Sequence, residues 1–233
     1  MEMTVPERLA ALRQKMAEAG VDAYLVPTDD FHGSEYVGDF FKCRKYITGF
    51  TGSAGTALIM QDMAGLWTDG RYFLQAEQQL AGSGVTLFRM RDEGVPTIEE
   101  FLGQKMTGGM TLGFDGRTVT AVNGRKYETL LAKKHAAIRC DQDLVGEIWT
   151  DRPALSAQPV WLLDEKYAGE SAASKISRVR EVVTALEADH FLLTSLDDIA
   201  WLLNIRGNDV ACNPVVLSYL LMKDRKSVCR ERV

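Results

Sequence analysis

Cysteine is scarce in this chain of 233 residues: there are four, Cys43, Cys140, Cys212 and Cys229, far apart in sequence and never in a CxxC pair. That excludes a disulfide scaffold. The first twenty residues, MEMTVPERLAALRQKMAEAG, lack the basic start and apolar core of a secretory signal. The cysteines therefore read as free thiols of a reducing compartment, and the expected location is the cytoplasm. Histidine is scarcer still, with His32, His135 and His190 scattered, and a zinc site built from His and Cys alone would need a tighter cluster, so these side chains read as surface or core residues rather than metal ligands. No apolar run approaches the ~18–20 residues of a membrane helix, so no membrane partner is expected. Basic residues are outnumbered, 27 Lys and Arg against 32 Asp and Glu for a net charge of -5. A chain dedicated to nucleic acid would carry the opposite balance.

What is present is ordinary globular chemistry. A composition 46% hydrophobic and 25% charged excludes global disorder and a collagen-like repeat. The length suits one large domain or two small ones. Leu9, Leu12, Met16 and Ala19 recur at helical spacing between Pro6 and Gly20, a residue pair suited to a helix's start and end. An apolar strand follows over 22–27. Strands are expected over Thr56–Met60 and Ala64–Thr68 about a Gln61-Asp62 turn, over 85–90, over Thr111–Phe114 and over 136–140. Helices are expected over 71–80, 97–105 and 122–134, the second opened by Thr97 with Glu100 three residues on. Alternating strands and helices predict an α/β layer fold.

Residues 149–159, with Pro153 and Pro159 and no periodicity, read as a linker. Beyond it the opening pattern returns: KISRVREVVTALEADHFLLT lies beside RLAALRQKMAEAGVDAYLVP. Leu9/Ile176, Leu12/Val179, Met16/Val183 and Asp22/Asp189 then fall in matching places. Both copies continue to an acidic pair, Asp29-Asp30 and Asp197-Asp198, and to an aromatic-aliphatic stretch with a glycine, Gly49 and Gly207. The expected organisation is a first domain over 1–148, the linker, and a related but truncated second domain over 160–223. Its last strand, 215–222, is expected to expose unpaired backbone. Residues 224–233 change abruptly to charge without periodicity, and their opening Asp-Arg-Lys-Ser-Val equals a one-frame translation of a common sequencing-library adapter. They are expected to be a non-native tail.

No complete active site emerges from bare chemistry. The glycine cluster 49–56 lacks the Lys-Ser/Thr ending of a P-loop and the strand-before, helix-after context of a dinucleotide fingerprint, so it reads as a turn. Trp67-Thr68-Asp69-Gly70-Arg71-Tyr72 sets an acid and a base about a glycine that allows positive φ. It is either a structural corner or an aromatic-plus-Arg interface patch, and the two roles are compatible. His32 and Glu35 lie close together after the first strand, but a nucleophilic triad is defined in space and no GxSxG elbow supports one. Asp197-Asp198 and Asn208-Asp209 read as a helix cap and a turn, with divalent-cation binding the alternative.

RKYITGFTGSAGTALI, WTDGRYFLQAE, EIWTDRP and DDIAWLLNIRGNDVACNPVVLSY together resemble the N-terminal region of Xaa-Pro aminopeptidases of the large, three-domain type, with creatinase/prolidase-type N-terminal domains. The resemblance runs from the first helix to about Met222. It implies two related creatinase-N-terminal-like, ribonuclease-H-like α/β domains, the second incomplete here. It implies a parent hydrolase, a cytosolic metallopeptidase that releases the N-terminal residue from peptides with proline second. The parent would use two divalent ions, typically manganese (Mn2+), held by a C-terminal domain absent here. No catalytic residue or metal ligand carries over to this chain, which is expected to bind no cofactor and to be inactive alone. The N-terminal domains would shape the substrate entrance and contribute to a homodimer. Trp67, Asp69, Arg71 and Tyr72, with His32 and Glu35, are the candidates for that role. The alternative is a non-catalytic protein- or peptide-binding module on the same scaffold. Sequencing the source DNA across the Lys223 codon tests the tail: a reading frame that departs from 224–233 there is expected, and an intact genomic frame encoding those residues refutes it.

Overall fold

The computed structural model describes residues 3–223 and the backbone of residues 227–231. The chain divides into two compact units, one formed by residues 1–31 and 41–153, the other by residues 32–40 and 154–233. Two segments of the expected tail, 224–226 and 232–233, lie outside the described residues.

The first unit opens with α1 (Val5–Ala19), whose start is fixed by the Glu7 carboxylate accepting from the Thr4 backbone N–H and hydroxyl, both at 2.7 Å. Gly20, at φ 66°, ends it in the left-handed conformation that glycine takes without strain. Then follow β1 (Ala23–Pro27), α2 (Cys43–Thr48), β2 (Thr56–Met60), β3 (Ala64–Thr68), α3 (Phe73–Leu80), β4 (Thr86–Arg89), α4 (Ile98–Lys105), β5 (Thr111–Phe114), α5 (Ala121–Ala132), β6 (Ala137–Arg139) and α6 (Leu144–Ile148). The six strands form one sheet in the order β4-β3-β2-β1-β5-β6. β2 is antiparallel to both neighbours and every other contact is parallel, so five strands run one way.

Period-two alternation sends successive side chains of a strand to opposite faces, and here both faces are buried. Tyr24, Val26, Ala57, Ile59 and Leu66 join Leu9, Leu12 and Met16 of α1, Ala76 and Leu80 of α3, and Leu144, Val145 and Ile148 of α6. Ala23, Leu25, Leu58, Met60 and Trp67 join Phe101 and Leu102 of α4 and Tyr127 and Leu131 of α5. The result is a helix–sheet–helix sandwich. The Thr97–Glu100 capping box opens α4 as expected, with the Glu100 N–H donating to Thr97 at 3.1 Å and the Thr97 N–H donating to Glu100 at 2.8 Å.

The second unit contains β7 (Trp161–Leu162), α7 (Glu165–Ala168), α8 (Ala172–Ala185), β8 (His190–Leu193), α9 (Leu196–Leu203), β9 (Ile205–Arg206), β10 (Tyr219–Lys223) and β11 (Ser227–Glu231). Strands β11, β10 and β8 form an antiparallel sheet in that order. The strand expected over 215–222 is therefore β10, starting at Tyr219, and it is paired on both sides. The outer strands are β8 and β11.

The internal repeat holds in the pairing register. Tyr24↔Ile59, Leu25↔Leu58 and Val26↔Ala57 of β1–β2 correspond to Phe191↔Met222, Leu192↔Leu221 and Leu193↔Leu220 of β8–β10. A shared device closes each copy. Arg8 donates to the Tyr46 carbonyl at 2.7 Å and lies 4.3 Å from that ring's centre. Lys175, one turn into α8, donates to the Trp201 carbonyl at 3.0 Å and lies 4.7 Å from the indole. Each cation sits under the carbonyl-rich end of a short helix, where positive charge is favoured. Both helices end three residues later in a left-handed residue, Gly49 at φ 75° and Asn204 at φ 51°. The counterpart of Gly49 is thus Asn204 rather than Gly207, because the cap and not the glycine is what the two copies share.

Residues 149–159 form no helix or strand, yet both ends are held. Trp149 stacks on Tyr46 at 4.5 Å in the first unit. In the second, the Ser156 hydroxyl and the Gln158 N–H donate to the buried Asp209 carboxylate at 2.7 and 3.1 Å. The Leu217 N–H also donates to that carboxylate, at 2.9 Å.

Gly65 is where the first unit tolerates least change. A Cβ there would lie 2.7 Å from both Phe88 and Trp67, whose rings stack at 3.9 Å. Gly65→Ala is expected to cost about 1–3 kcal/mol by overpacking, read as a lower urea midpoint with unchanged slope.

Candidate functional site

Because β1, β3 and β5 run the same way, their C-terminal ends open on one edge of the sheet, where ligand sites in open α/β sheets are built. Each end leads into acidic chemistry: Asp29-Asp30 after β1, Asp69-Gly70-Arg71 after β3 and Asp115-Gly116-Arg117 after β5. The last two turns are twins. In each, the Asp Oδ1 accepts from the Arg backbone N–H at 3.0 Å and from its Nε at 2.9 Å, and Oδ2 accepts from Nη2 at 2.9 Å. The carboxylate holds the guanidinium in one plane before any partner arrives. Arg71's hydrogen bonds keep the Asp69 carboxyl below the usual carboxylate range.

Gly70 does not use the positive φ expected of it. The turn is closed by the Asp69 side chain and by the Tyr72 N–H donating to the Asp69 carbonyl at 3.0 Å, which needs no left-handed residue. The same closure delays the helix expected from 71 until Phe73.

The candidate residues occupy different environments. Trp67 is only 1% exposed: it stacks on Phe88, and its Nε1–H donates to the Pro96 carbonyl at 2.8 Å. It is a core residue, unlike the other three members of the candidate group, Asp69, Arg71 and Tyr72, which reach solvent. Arg71 lies 5.3 Å from the Tyr72 ring centre, and the Tyr72 hydroxyl meets Ser53 Oγ at 2.6 Å. That contact ties the patch to the glycine turn 49–55. Arg44, buried in α2, holds the turn from beneath: it donates to the Phe50 carbonyl at 2.6 Å, to the Gly52 carbonyl and to Thr28 Oγ1 at 2.8 Å. Burial lowers its pKa to about 10.

His32 and Glu35 belong to the second unit. His32 stacks on Tyr219 with ring centres 4.4 Å apart. The exposed Glu35 lines a 490 Å³ hollow with Ser34, Tyr36, Asp197, Cys212 and Asn213. Asp197 and Asp198 are not the cap of α9. Ser195 is, accepting from the Asp198 N–H at 3.4 Å, and the two acids fill the first turn, where the helix dipole favours them.

Two features at the β1–β5 end escaped the sequence reading. One is the second Asp-Gly-Arg turn, whose signal was a plain tripeptide repeat. Arg117 raises its reach by also approaching Asp143 at 3.5 Å and lying 4.9 Å from the Phe31 ring centre. The other is a cavity of about 20 Å³, lined by Tyr24, Asp29, Cys43, Asp115, Asp143 and Arg152 among others, with room for about one water. Asp143 caps α6 and accepts from Arg152 at 2.5 Å, and Arg152 donates to Cys43 Sγ at 3.2 Å. Burial pushes the Cys43 thiol up to about 12, which keeps it protonated and unreactive at neutral pH.

Burial likewise raises Asp29 from 3.8 to about 6, aided by the charge of Asp30. A raised carboxyl is protonated more readily folded than unfolded, so it imposes no penalty below about pH 4 and its full penalty above about pH 6. Asp29→Asn is expected to stabilise the protein above about pH 7 by roughly 1–2 kcal/mol, allowing for water around a half-buried group. The gain should fade between pH 6 and 4 in thermal melts. A gain independent of pH would refute this account.

Among the described residues, no group of three or more His, Cys, Asp or Glu side chains converges as a metal site would require. The residues present therefore do not fit a two-metal centre. No helix among them is long and apolar enough to cross a membrane.

Comparison with known proteins places these features in context. Residues 8–145 and 151–229 each match a family described as Creatinase/Prolidase N-terminal domain. The chain is 40% identical to Aminopeptidase P2 of Arabidopsis thaliana over 227 residues, which is 95% of this chain and 32% of that protein. It is 43% identical to a probable Xaa-Pro aminopeptidase P of Talaromyces marneffei, covering 93% of this chain and 33% of that protein. Among solved structures, X-prolyl aminopeptidase of Caenorhabditis elegans, described as a cytosolic enzyme with a di-nuclear active site, superposes with a TM-score of 0.90 at 34% identity. The match covers 99% of this chain and 39% of that one. The chain thus spans about a third of the length of the relatives it matches.

Proposed function

The chain belongs to the creatinase/prolidase N-terminal domain family, as the N-terminal region of an aminopeptidase P, and from that premise we propose that it serves a longer cytosolic Xaa-Pro aminopeptidase. That enzyme removes the N-terminal residue from peptides whose second residue is proline. Its two divalent metal ions, manganese by resemblance, are held by polypeptide other than the residues described here. This region contributes surface rather than catalysis. The observation that carries the reading is the superposition of 99% of the chain on an X-prolyl aminopeptidase with a TM-score of 0.90.

Asp69, Arg71 and Tyr72 form the surface we assign to the substrate entrance and to contact between subunits of the parent. A side chain 67% exposed yet held by two hydrogen bonds to one carboxylate can meet a peptide oxygen with little further loss of rotamer freedom. The Tyr72 ring beside it adds apolar area. Glu35 and Asp197, in the second unit's hollow, offer negative charge to a peptide's ammonium group.

The experiment is an exchange. This chain replaces the matched region of the A. thaliana Aminopeptidase P2, and release of the N-terminal residue from a Xaa-Pro peptide is measured with Mn2+. The chimera is expected to be active and the isolated chain inactive. Arg71→Ala in the chimera is expected to raise KM about tenfold with kcat little changed, as loss of one charged contact would. Activity of the isolated chain overturns the surface-only role. A chimera that folds but stays inactive favours a binding module.

A further inference from the structure

The chain passes between its two units three times: out of the first after Phe31, back before Phe41, and out again after Pro153. On the first unit's side, the residues at these passages come together although they lie far apart in sequence. The Phe31 and Phe41 rings meet edge to face with centres 4.7 Å apart. Arg117, from the turn after β5, lies 4.9 Å from the Phe31 ring centre. Arg152, beside the third passage, donates at 3.2 Å to Sγ of Cys43, which follows closely on Phe41.

Asp143 joins the two guanidiniums. Its Oδ2 accepts from Arg152 at 2.5 Å and lies 3.5 Å from Nη2 of Arg117, while its Oδ1 caps α6 by accepting from the Gly146 N–H at 2.8 Å. Asp143 and Arg152 are only 17% and 12% exposed, so either charge without the other would be stranded with little water. Phe41, Cys43, Asp143 and Arg152 also line the cavity of about 20 Å³. All of these contacts lie within the first unit. Fastening α6 to β5 does not require Phe31, Phe41 or Cys43, yet the cluster reaches all three.

We propose that Asp143, Arg117 and Arg152 form a clasp on both feet of the excursion 32–40, and that they are positioning residues for Glu35, which the excursion carries. The inference rests on the reading of Glu35 as a contact for a peptide's ammonium group. Arg117 acts on the outgoing foot through Phe31, and Arg152 acts on the returning foot through Cys43. Fixing both ends of a segment narrows the conformations open to it. A carboxylate carried on such a segment then loses less freedom when it meets a cation. Opening the clasp loosens the feet and weakens peptide binding, with no change at the reacting atoms.

The test is alkylation of Cys43 by iodoacetamide in the full chain, read by mass spectrometry against the exposed Cys140. Arg117→Met is the deciding variant, because Arg117 is 56% exposed and stands on the outgoing foot while Cys43 stands on the returning one. Arg117→Met, and Asp143→Asn, which keeps an oxygen to cap α6, are each expected to speed Cys43 alkylation about fivefold or more by local opening. Gly65→Ala, which destabilises the same unit elsewhere, is expected to leave the ratio to Cys140 unchanged. Acceleration by Asp143→Asn alone means that Arg152 merely shields the thiol, and it overturns the clasp. Equal acceleration by Gly65→Ala overturns it as well, as does no acceleration by either clasp variant. In the chimera with Aminopeptidase P2, Asp143→Asn and Glu35→Gln are each expected to raise KM about threefold or more with kcat little changed, and the double variant no more than Glu35→Gln alone. Additive effects overturn the positioning of Glu35. An unchanged KM in Glu35→Gln refutes instead the reading of Glu35 as a peptide contact, and the Cys43 rates then decide the clasp by themselves.

Discussion

The polar turns gathered at one edge of the first unit's sheet follow strands that have no solvent-facing side. β1 buries alternate residues under α1 on one face and under α4 and α5 on the other. Neither face can carry chemistry without leaving a polar group in a dry interior. Polar residues are thus confined to the strand ends, and the parallel run of β1, β3 and β5 gathers three of those ends on one edge. The twin Asp-Gly-Arg turns and the Asp29 corner are consequences of that confinement.

The edge is electrostatically divided. Toward β5, acids and bases satisfy one another: Asp115 with Arg117, Asp143 with Arg152, and the Cys43 thiol beneath them. With the Arg117–Asp143 contact they tie the end of β5 to α6 and α2 and belong to the architecture. Toward β3, Asp69 and Arg71 are more exposed and pair with each other, with Arg71 beside the Tyr72 ring. An exposed ion pair of this kind contributes little to stability. Arg44 fixes from below the glycine turn that the Tyr72 hydroxyl meets through Ser53.

The internal repeat shows how much of a fold a few contacts can preserve. Ile176 and Val179 replace Leu9 and Leu12, and Lys175 replaces Arg8, yet the cation still sits beneath the end of a short helix and over an aromatic ring. Apolar packing tolerates exchange of similar volumes, whereas the clamp demands a cation, an aromatic and a left-handed cap at set positions. The second unit differs in what covers its sheet. One face packs on α8 and α9 through Phe191, Leu193, Leu220 and Met222, while Leu192 and Leu221 on the other remain open to solvent.

Local signals identified α1, the β2–β3 hairpin, the capped α4 and the repeat, because each is recorded by near neighbours in sequence: apolar spacing, a Thr/Glu cap, alternation. The short helices α2, α6 and α9 have no such record, since five to eight residues show too few turns for a stripe and their stability comes from burial. The family resemblance was legible for the same local reason, in contiguous blocks such as WTDGRYFLQAE. The burial of Trp67 beneath Phe88, the conformation of Gly70 and the sharing of Asp209 between 156–158 and Leu217 were not. Nor was the assignment of His32 and Glu35 to the second unit. The sequence by itself determined which residues alternate, cap and repeat. Only the tertiary structure decided which of them meet water, because exposure depends on what packs against a residue from distant parts of the chain.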